Sequence, residues 1–408
     1  MDATAQSGIR FQCNGSPVSQ KYLIETMPGG VAMFDYDGDG RLDLYFVNGA
    51  QLDDPMPPGK QPDKSDPRFW NRLYHNNGDG TFTDVSEKAG IWKTPGTYGL
   101  GVVTADFDND GWPDIYIAND STSSTLYRNN KDGTFTDVAI DAGAAYSPDG
   151  KPQAGMGVST ADYDCDGDLD LVKTNFAGDT TSLYRNTGGG AFEDTTFQSG
   201  LGRITRFLGW GASFLDYDND GWDEILLCNG HVYPEVGDTA AESGYKQRKV
   251  VYRNQGNGRF KEVSEQLGPG ILEKVTGRGM AIGDFNNYGC LDVLVNCIND
   301  YPQLLRCEST LKNNWILVKT AGVKPNRSGI GARVFCTTAV DGKKHRQMNE
   351  VRSGGSYLSQ GDLRVHFGLG QAAEADIEVH WPSGAVDRLP GLQPNRTVIV
   401  VEGSGERS

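Results

Sequence analysis

Acidic residues recur at alternate positions in five nine-residue segments, which begin at Asp35, Asp106, Asp162, Asp216 and Asp284. In the first segment, positions 1, 3, 5 and 9 are aspartates and position 6 is a glycine. Carboxylates at this spacing, with a glycine for the sharp turn, can enclose a hard cation that prefers about six to eight oxygen ligands. The sequence therefore predicts calcium-binding loops.

The predicted ligands are the side chains at positions 1, 3, 5 and 9 and the backbone carbonyl at position 7. In chain order they are Asp35, Asp37, Asp39, Arg41 and Asp43; Asp106, Asp108, Asp110, Trp112 and Asp114; Asp162, Asp164, Asp166, Asp168 and Asp170; Asp216, Asp218, Asp220, Trp222 and Glu224; and Asp284, Asn286 and Asp292. The fifth loop has Tyr288 at position 5 and has lost one ligand. We expect about four Ca²⁺ sites and weak or no binding at the fifth loop.

Apolar runs that alternate with polar residues precede and follow each loop, so each loop joins two strands and is not an EF-hand. A further strand pair follows in each repeat, beginning with motifs such as Leu73-Tyr74-His75-Asn76, and the loops start 54 to 71 residues apart. This period predicts an all-β propeller with four strands per blade. We favour five blades, and seven stay possible if residues 51–70 and 232–248 contain strands. Ser7-Gly8-Ile9 is predicted to supply the outer strand of the last blade.

These repeats resemble the FG-GAP (VCBS) repeats of integrin-like propellers. Four later motifs resemble the ASPIC/UnbV domain, namely Asn314-Trp315-Ile316-Leu317-Val318, Gly329-Ile330-Gly331-Ala332-Arg333-Val334, residues 352–360 and Trp381-Pro382-Ser383-Gly384. Both together are similar to the cartilage acidic protein family and its bacterial relatives. The resemblance implies an extracellular calcium-binding propeller over residues 1–308 and a small, β-sandwich-like domain over residues 309–408.

Composition narrows the choice of partner and compartment. The formal charge of −16 argues against nucleic acid and anionic membranes as partners. No apolar run approaches the roughly 18 residues of a membrane span. Because filling such loops requires the calcium levels found outside cells, we expect a secreted, extracellular or periplasmic protein, although residues 1–4 lack the start of a signal peptide. The pairing of the seven cysteines is left open.

The strand ends opposite the loops are predicted to form the mouth of the propeller. Residues there that could bind a protein, glycan or small-molecule ligand are Trp210, Arg278, Tyr98, Asn119, Asn175, Asn229 and His231. The asparagines could instead cap turns. Arg333, Arg352, Ser353, Tyr357 and Gln360 surround a Gly-rich turn that could complete an interdomain site or dock the two domains.

Two classes of function remain. The first is an adhesion or ligand-binding propeller in which calcium is architectural. The alternative is an enzyme of the cyclase, lyase or isomerase type, with a pocket at the propeller mouth facing the C-terminal domain. Its candidate catalytic residues are Arg278, His231, Tyr233 and Tyr357. A propeller fold hosts both classes of activity and does not decide between them.

Overall fold

The computed structural model describes residues 2–19, 22–27, 29–93, 96–236, 244–308, 312–340 and 342–405. Within them, the first 19 strands form five antiparallel sheets, four of four strands and a last one of three. The strands are β1 Val31–Phe34, β2 Asp43–Phe46, β3 Arg72–Asn76 and β4 Phe82–Asp84; β5 Gly99–Ala105, β6 Asp114–Asn119, β7 Thr125–Asn129 and β8 Phe135–Asp137; β9 Val158–Ala161, β10 Asp170–Lys173, β11 Ser182–Asn186 and β12 Phe192–Asp194; β13 Gly209–Leu215, β14 Glu224–Asn229, β15 Val250–Asn254 and β16 Phe260–Glu262; and β17 Gly277–Gly283, β18 Asp292–Cys297 and β19 Gln303–Leu305.

The five sheets are the blades of a propeller, and neighbouring blades pack face to face through β1, β5, β9, β13 and β17. Because a middle blade is covered on both faces, β6 and β14 are buried along their whole length. Their sequences are correspondingly apolar without interruption, as in Ile115-Tyr116-Ile117. The prediction of an all-β, propeller-like fold is confirmed.

The ring is open between the first and the last blade. Ala32 and Phe34 of β1 pack toward the second blade, whereas Val31 and Met33 on the other face are 51% and 40% exposed. In the last blade, Leu294 is 47% exposed, although Leu226 at the same position of the fourth blade is buried. The faces that would meet in a closed ring are therefore exposed to solvent.

The prediction that Ser7-Gly8-Ile9 forms the outer strand of the last blade is wrong. Thr4–Ser7 is a short helix, α1, and Gly8 approaches the carbonyl of Phe82 in the first blade. Gly143 and Gly200 approach the outer strand of the following blade in the same way. The motif therefore supplies the turn that normally precedes a blade. Residues 51–70 and the described part of 232–248 contain no strand, and residues 237–243 lie outside the described part.

Short helices follow the outer strands and connect the blades. The α-helices are α2 Ser86–Ala89, α3 Thr196–Ser199 and α4 Pro269–Leu272, and the 3-10 helices are Leu23–Thr26, Pro67–Phe69, Ile91–Lys93, Leu201–Arg203 and Ser264–Gln266. Among the described residues, no helix is long and apolar enough to cross a membrane.

Seven further strands form two sheets that share one apolar core. Their bounds are β20 Asn314–Ala321, β21 Arg333–Val340, β22 Lys343–Glu350, β23 Val365–Gly370, β24 Ala375–His380, β25 Val386–Leu392 and β26 Arg396–Val401. The three-stranded sheet has the order β23-β20-β26 and the four-stranded sheet the order β22-β21-β24-β25. Two sheets around a common core agree with the predicted β-sandwich-like domain. The boundary at residues 308 and 309 stays a prediction.

A segment of this C-terminal unit, residues 352–361, runs along the propeller axis, and we call it the axial segment. Ser353 Oγ accepts a hydrogen bond from Met33 N–H of the first blade at 2.8 Å. The carbonyl of Ser356 accepts one from Val158 N–H of the third blade at 2.9 Å. The Gly-rich turn predicted from the sequence therefore docks the C-terminal unit into the centre of the ring.

Candidate functional site

The position-1 aspartate shapes each acidic loop. Asp35 accepts hydrogen bonds from Asp39 N–H at 3.1 Å and Gly40 N–H at 2.8 Å, which fold the loop around its carboxylate. Gly40 has φ +85°, a left-handed conformation that favours glycine. The same pair of hydrogen bonds forms at Asp106, Asp162, Asp216 and Asp284. The five loops therefore share one backbone conformation.

The position-9 carboxylate ties the loop to two strands. Asp43 is fully buried and accepts from Tyr36 N–H at 3.2 Å and Asn76 N–H at 2.8 Å. Burial and then nearby carboxylates raise the pKa of Asp43 to about 8, despite these two hydrogen bonds. Asp114, Asp170, Glu224 and Asp292 are held in the same way.

Carboxylates of four loops converge closely enough to hold a metal ion. Within each of four groups, one ligand oxygen per residue lies within 4.8 Å of the others: Asp35, Asp37 and Asp39; Asp106, Asp108 and Asp110; Asp162, Asp164 and Asp170; and Asp216, Asp218 and Glu224. Buried oxygens Oδ1 of Asp164 and Oδ1 of Asp218 have no hydrogen-bond partner. Burial and neighbouring carboxylates raise the pKa of Asp164 to about 6. Crowded, unpaired carboxylates of this kind fit a hard divalent cation.

Cationic side chains lie beside the loops, a feature that the spacing of the acidic residues did not reveal. Arg253 Nη2 lies 2.9 Å from Asp218 Oδ2, and Lys131 Nζ lies 3.0 Å from Asp110 Oδ2. In the first loop, His75 replaces the arginine of the repeat, and its Nδ1 lies 3.1 Å from Asp37 Oδ2. These groups offset part of the acidic charge from the rim.

The fifth loop is fastened differently. Its Tyr288 is 77% exposed and offers no carboxylate, while a disulfide joins Cys290 at position 7 to Cys307. Cys307 occupies the place of Asn254 in the fourth blade, whose side chain ties two loops together through the carbonyls of Tyr163 and Asp223. The disulfide therefore replaces this amide clamp in the blade with the fewest acidic ligands. The sequence left that pairing open.

A cavity of about 440 Å³, which we call the mouth cavity, lies at the predicted mouth. The Arg278 guanidinium stacks on Trp210 at 4.2 Å from the ring centre, and Tyr357 meets Trp210 edge-on at 4.7 Å. Three predicted residues are thus together. The remaining lining residues are Met27, Val232, Pro234, Tyr245, Gly279, Asn296, Ile298, Asn299, Leu358 and Ser359.

The guanidinium of Arg278 donates hydrogen bonds to backbone carbonyls of the protein. Its Nη1 donates to the carbonyl of Gly277 at 2.9 Å, and its Nη2 donates to the carbonyl of His231 at 3.2 Å. His231 is buried, its Nδ1 accepts from Tyr233 N–H at 3.1 Å, and burial lowers its pKa. Tyr233 is half exposed. Neither His231 nor Tyr233 lines the mouth cavity.

The remaining predicted ligand-binding residues do not line the mouth cavity. The amide groups of Asn119, Asn175 and Asn229 donate to the carbonyls of Ser123, Thr180 and Arg248, which lie in the connection to the next strand of the same blade, at 2.7, 2.7 and 2.9 Å. Tyr98 is 1% exposed within an apolar cluster. The alternative that the asparagines cap turns therefore describes them better than the prediction of a ligand-binding ring.

Family profiles match both parts of the chain. The profile described as FG-GAP-like repeat matches residues 35–117 and 106–172, and the one described as ASPIC and UnbV matches residues 322–407. The chain combines FG-GAP-like repeats with an ASPIC and UnbV domain. The resemblance seen in the motifs is confirmed.

Curated proteins are similar to this chain over most of its length. Cartilage acidic protein 1 from Homo sapiens is 28% identical over 361 residues, and that from Xenopus tropicalis is 27% identical over 374 residues. Each alignment covers 87% of this chain and 50% or 52% of the relative, so the chain spans about half the length of these relatives.

Solved structures superpose only weakly. The BP39L lectin from Burkholderia pseudomallei gives a TM-score of 0.38 with 10% identity, covering 89% of this chain and 95% of the lectin. A lectin from Agrocybe aegerita gives a TM-score of 0.37 with 19% identity, covering 68% of this chain and 65% of that one. Similarity at this level says nothing about the function of this chain.

The ASPIC and UnbV domain rests on the loop end of the FG-GAP-like propeller. Five residues of the domain donate hydrogen bonds to backbone carbonyls of the loops. Asn326 donates to the carbonyl of Gly40, Arg333 to that of Gly167, Asn313 to that of Asp218, His345 to that of Gly221 and Arg364 to that of Asp284. The two sheets of the domain therefore lie at the end of the propeller opposite the mouth cavity. The axial segment of the same unit lines the mouth cavity with Tyr357, Leu358 and Ser359, so the predicted pocket at the mouth is formed in part by the C-terminal unit.

Proposed function

We propose that this chain is an extracellular calcium-binding propeller that binds a ligand at the mouth cavity. The observation that carries the calcium assignment is the convergence of carboxylates at four loops of one conformation, with at least one buried carboxylate in each loop and an unpaired oxygen in two of the loops. Ca²⁺ would be held by the carboxylates at positions 1, 3 and 5, with position 9 and the carbonyl of position 7 completing the set. The fifth loop would bind weakly or not at all.

Calcium has an architectural role in this proposal. A cation that binds only the folded loops stabilises the folded state by mass action. Since the ASPIC and UnbV domain contacts the carbonyls of these loops, ordered loops also present ordered acceptors to that domain. The loops lie between the two units, whereas the mouth cavity lies at the opposite end of the propeller, where a ligand has access to it.

Two features support an extracellular location. The disulfide between Cys290 and Cys307 would persist in an oxidising compartment. Loops that rely on oxygen ligands from surface turns are filled at extracellular calcium levels. We also propose the division into a propeller over residues 1–308 and a β domain over residues 309–408.

The mouth cavity suits a ligand with an apolar face and hydrogen-bonding edges. Ile298 and Leu358 are 42% and 40% exposed at its rim, beside the amides of Asn296 and Asn299. Arg278 and Trp210 form a cationic and aromatic floor. Such a mixture of apolar lining and few polar groups is typical of sites for glycans, peptides or small molecules.

Ligand binding is favoured over the enzymatic alternative. Arg278 donates to backbone carbonyls, and His231 and Tyr233 lie outside the mouth cavity. Of the four candidate catalytic residues, Arg278 and Tyr357 line this cavity.

A ligand screen with matched variants tests the proposal. Glycan and peptide libraries are applied to the calcium-loaded protein, and hits are measured by isothermal titration calorimetry. Leu358→Ala and Asn296→Ala alter exposed parts of the mouth cavity without removing its buried floor. We expect both variants to melt like the wild type and to bind the hit several-fold more weakly. A hit whose affinity is unchanged in both variants would place binding elsewhere.

A further inference from the structure

A second cavity lies on the propeller axis, between the blades and the ASPIC and UnbV domain. This axial chamber has a volume of about 140 Å³ and is lined by strands of the second to fifth blades and by the axial segment. A cavity of about 290 Å³ adjoins it, and Glu350 and Arg352 line both. The axial chamber is separate from the mouth cavity, because Ser356 faces the former and Tyr357 the latter.

Three polar atoms of the chamber wall have no hydrogen-bond partner. They are Thr160 Oγ1, on a residue that is 1% exposed, Arg352 Nη1 and His366 Nδ1. Arg352 is fixed by its other nitrogen, since Nη2 donates to the carbonyl of Thr160 at 2.7 Å. His366 Nε2 donates to the carbonyl of Gly289 at 3.2 Å, which leaves Nδ1 as an acceptor in the neutral ring. Buried polar atoms normally have a protein or water partner, so these three atoms leave hydrogen-bonding positions in the chamber for a molecule that enters it.

Asp223, which lines the chamber, differs in residue type from the corresponding positions of the other loops. It occupies position 8 of the fourth loop, where the other loops have Leu42, Pro113, Leu169 and Leu291. Asp223 and Glu350 both act electrostatically on Arg352, and both line the chamber. The loop conformation does not require an acidic residue at position 8, because the four other loops have the same conformation without one.

We propose that the axial chamber binds a neutral polyhydroxylated molecule of about monosaccharide size. Each hydroxyl both donates and accepts, which matches a wall with the acceptors Asp223, Glu350 and His366 Nδ1 and the donor Arg352 Nη1. The wall has four carboxylates, of Asp216, Asp223, Glu350 and Asp362, against the two guanidiniums of Arg352 and Arg364, and this balance disfavours an anion. A water needs about 10–15 Å³ of such a volume, so 140 Å³ accommodates a molecule of several heavy atoms rather than one solvent molecule.

Saturation-transfer NMR on the calcium-loaded full chain tests this proposal, with D-glucose, D-galactose, D-mannose and myo-inositol as probes. Thr160→Val keeps the shape of the side chain and removes a hydroxyl that has no partner within the protein, so the fold is expected to persist. Asp223→Asn removes one charge from the wall. The mouth variant Leu358→Ala serves as the matched control.

The expected result is binding of at least one probe to the wild type and to Leu358→Ala, and about tenfold weaker binding to Thr160→Val and Asp223→Asn, as for the loss of one hydrogen bond. Absence of binding by all four probes overturns the proposal. Binding that both chamber variants retain, or that only Leu358→Ala loses, also overturns it, because the probe then occupies another site. Melting curves of the variants separate these outcomes from unfolding.

Discussion

Replacing Asp164 with asparagine should stabilise the protein in the absence of calcium and reduce the stabilisation that calcium provides. Asp164 occupies position 3 of the third loop, and its side chain is 17% exposed. One of its oxygens has no hydrogen-bond partner. In Asp164→Asn, the loop loses a negative charge that is unfavourable when no cation is present and useful when one is bound.

The pKa of Asp164 gives the size of the calcium-free effect. Burial, followed by the charge of Asp166, raises this pKa from 3.8 to about 6. A shift of roughly two pH units corresponds to about 3 kcal/mol of unfavourable free energy for the ionised carboxylate at pH 7. In chelator, Asp164→Asn should therefore be more stable than the wild type by up to about 3 kcal/mol. For a chain of 408 residues this is about 3 °C in Tm.

Calcium should remove most of the advantage of the variant. A site filled at 100 times its Kd adds about 2.7 kcal/mol to the stability of the folded state. Calcium should therefore stabilise Asp164→Asn less than it stabilises the wild type, by up to about 2.7 kcal/mol. Differential scanning calorimetry with excess EDTA and with millimolar calcium measures both differences, and the exposed Asp141→Asn serves as control. Equal stabilisation of variant and wild type by calcium would refute the assignment of this loop as a calcium site.

Three further predictions concern the loops and the open ring. In chelator, the stability of the folded state should rise as pH falls from 8 toward 5. Burial raises the pKa values of Asp35 and Asp43 in the folded state to about 6 and 8, so the folded state binds protons more tightly than the unfolded chain. Measurement of Tm against pH checks this, and saturating calcium should flatten the slope. Leu226→Ala should lower the free energy of unfolding by about 2–5 kcal/mol, whereas Leu294→Ala at the same position of the last blade should change it by less than about 0.5 kcal/mol. Urea unfolding measures both values. Equal losses would mean that the ring closes in solution. Cys290→Ser should lower stability by about 3 kcal/mol, as expected for a disulfide that closes a loop of this length, and reduction of the wild type should reproduce the loss.

The structural features that recur in every blade could be predicted from the sequence, whereas the features that differ between blades could not. Loop spacing predicted the strand pairs, the five blades and the convergence of Asp35, Asp37 and Asp39, since each depends on interactions within one repeat. The pairing of Cys290 with Cys307 and the docking of the axial segment depend on contacts between distant residues. No local pattern reports such contacts, which is why Ser7-Gly8-Ile9 was assigned to the wrong blade.

The mouth was only partly predictable for a related reason. Arg278 and Trp210 differ from the corresponding residues of other blades, and this departure from symmetry correctly brought them together with Tyr357. The asparagines recur in four blades, and a recurring residue serves what every blade needs, here the cap of a turn. Asp223 also departs from the repeat, but its neighbours Arg352 and Glu350 come from another domain.

In the proposed calcium-bound state, the contacts between the ASPIC and UnbV domain and the loops couple calcium binding to domain docking. The domain donates hydrogen bonds to the carbonyls of Gly40, Gly167 and Gly221, each at position 6 of a loop. Those carbonyls point outward only while the carboxylates hold the loop in its tight turn. A cation that fixes the turn therefore favours docking, and by linkage a docked domain must raise the affinity of the loops for calcium by the same factor. The mouth cavity and the axial chamber share the axial segment, so both depend on this coupling although neither touches the other's ligand.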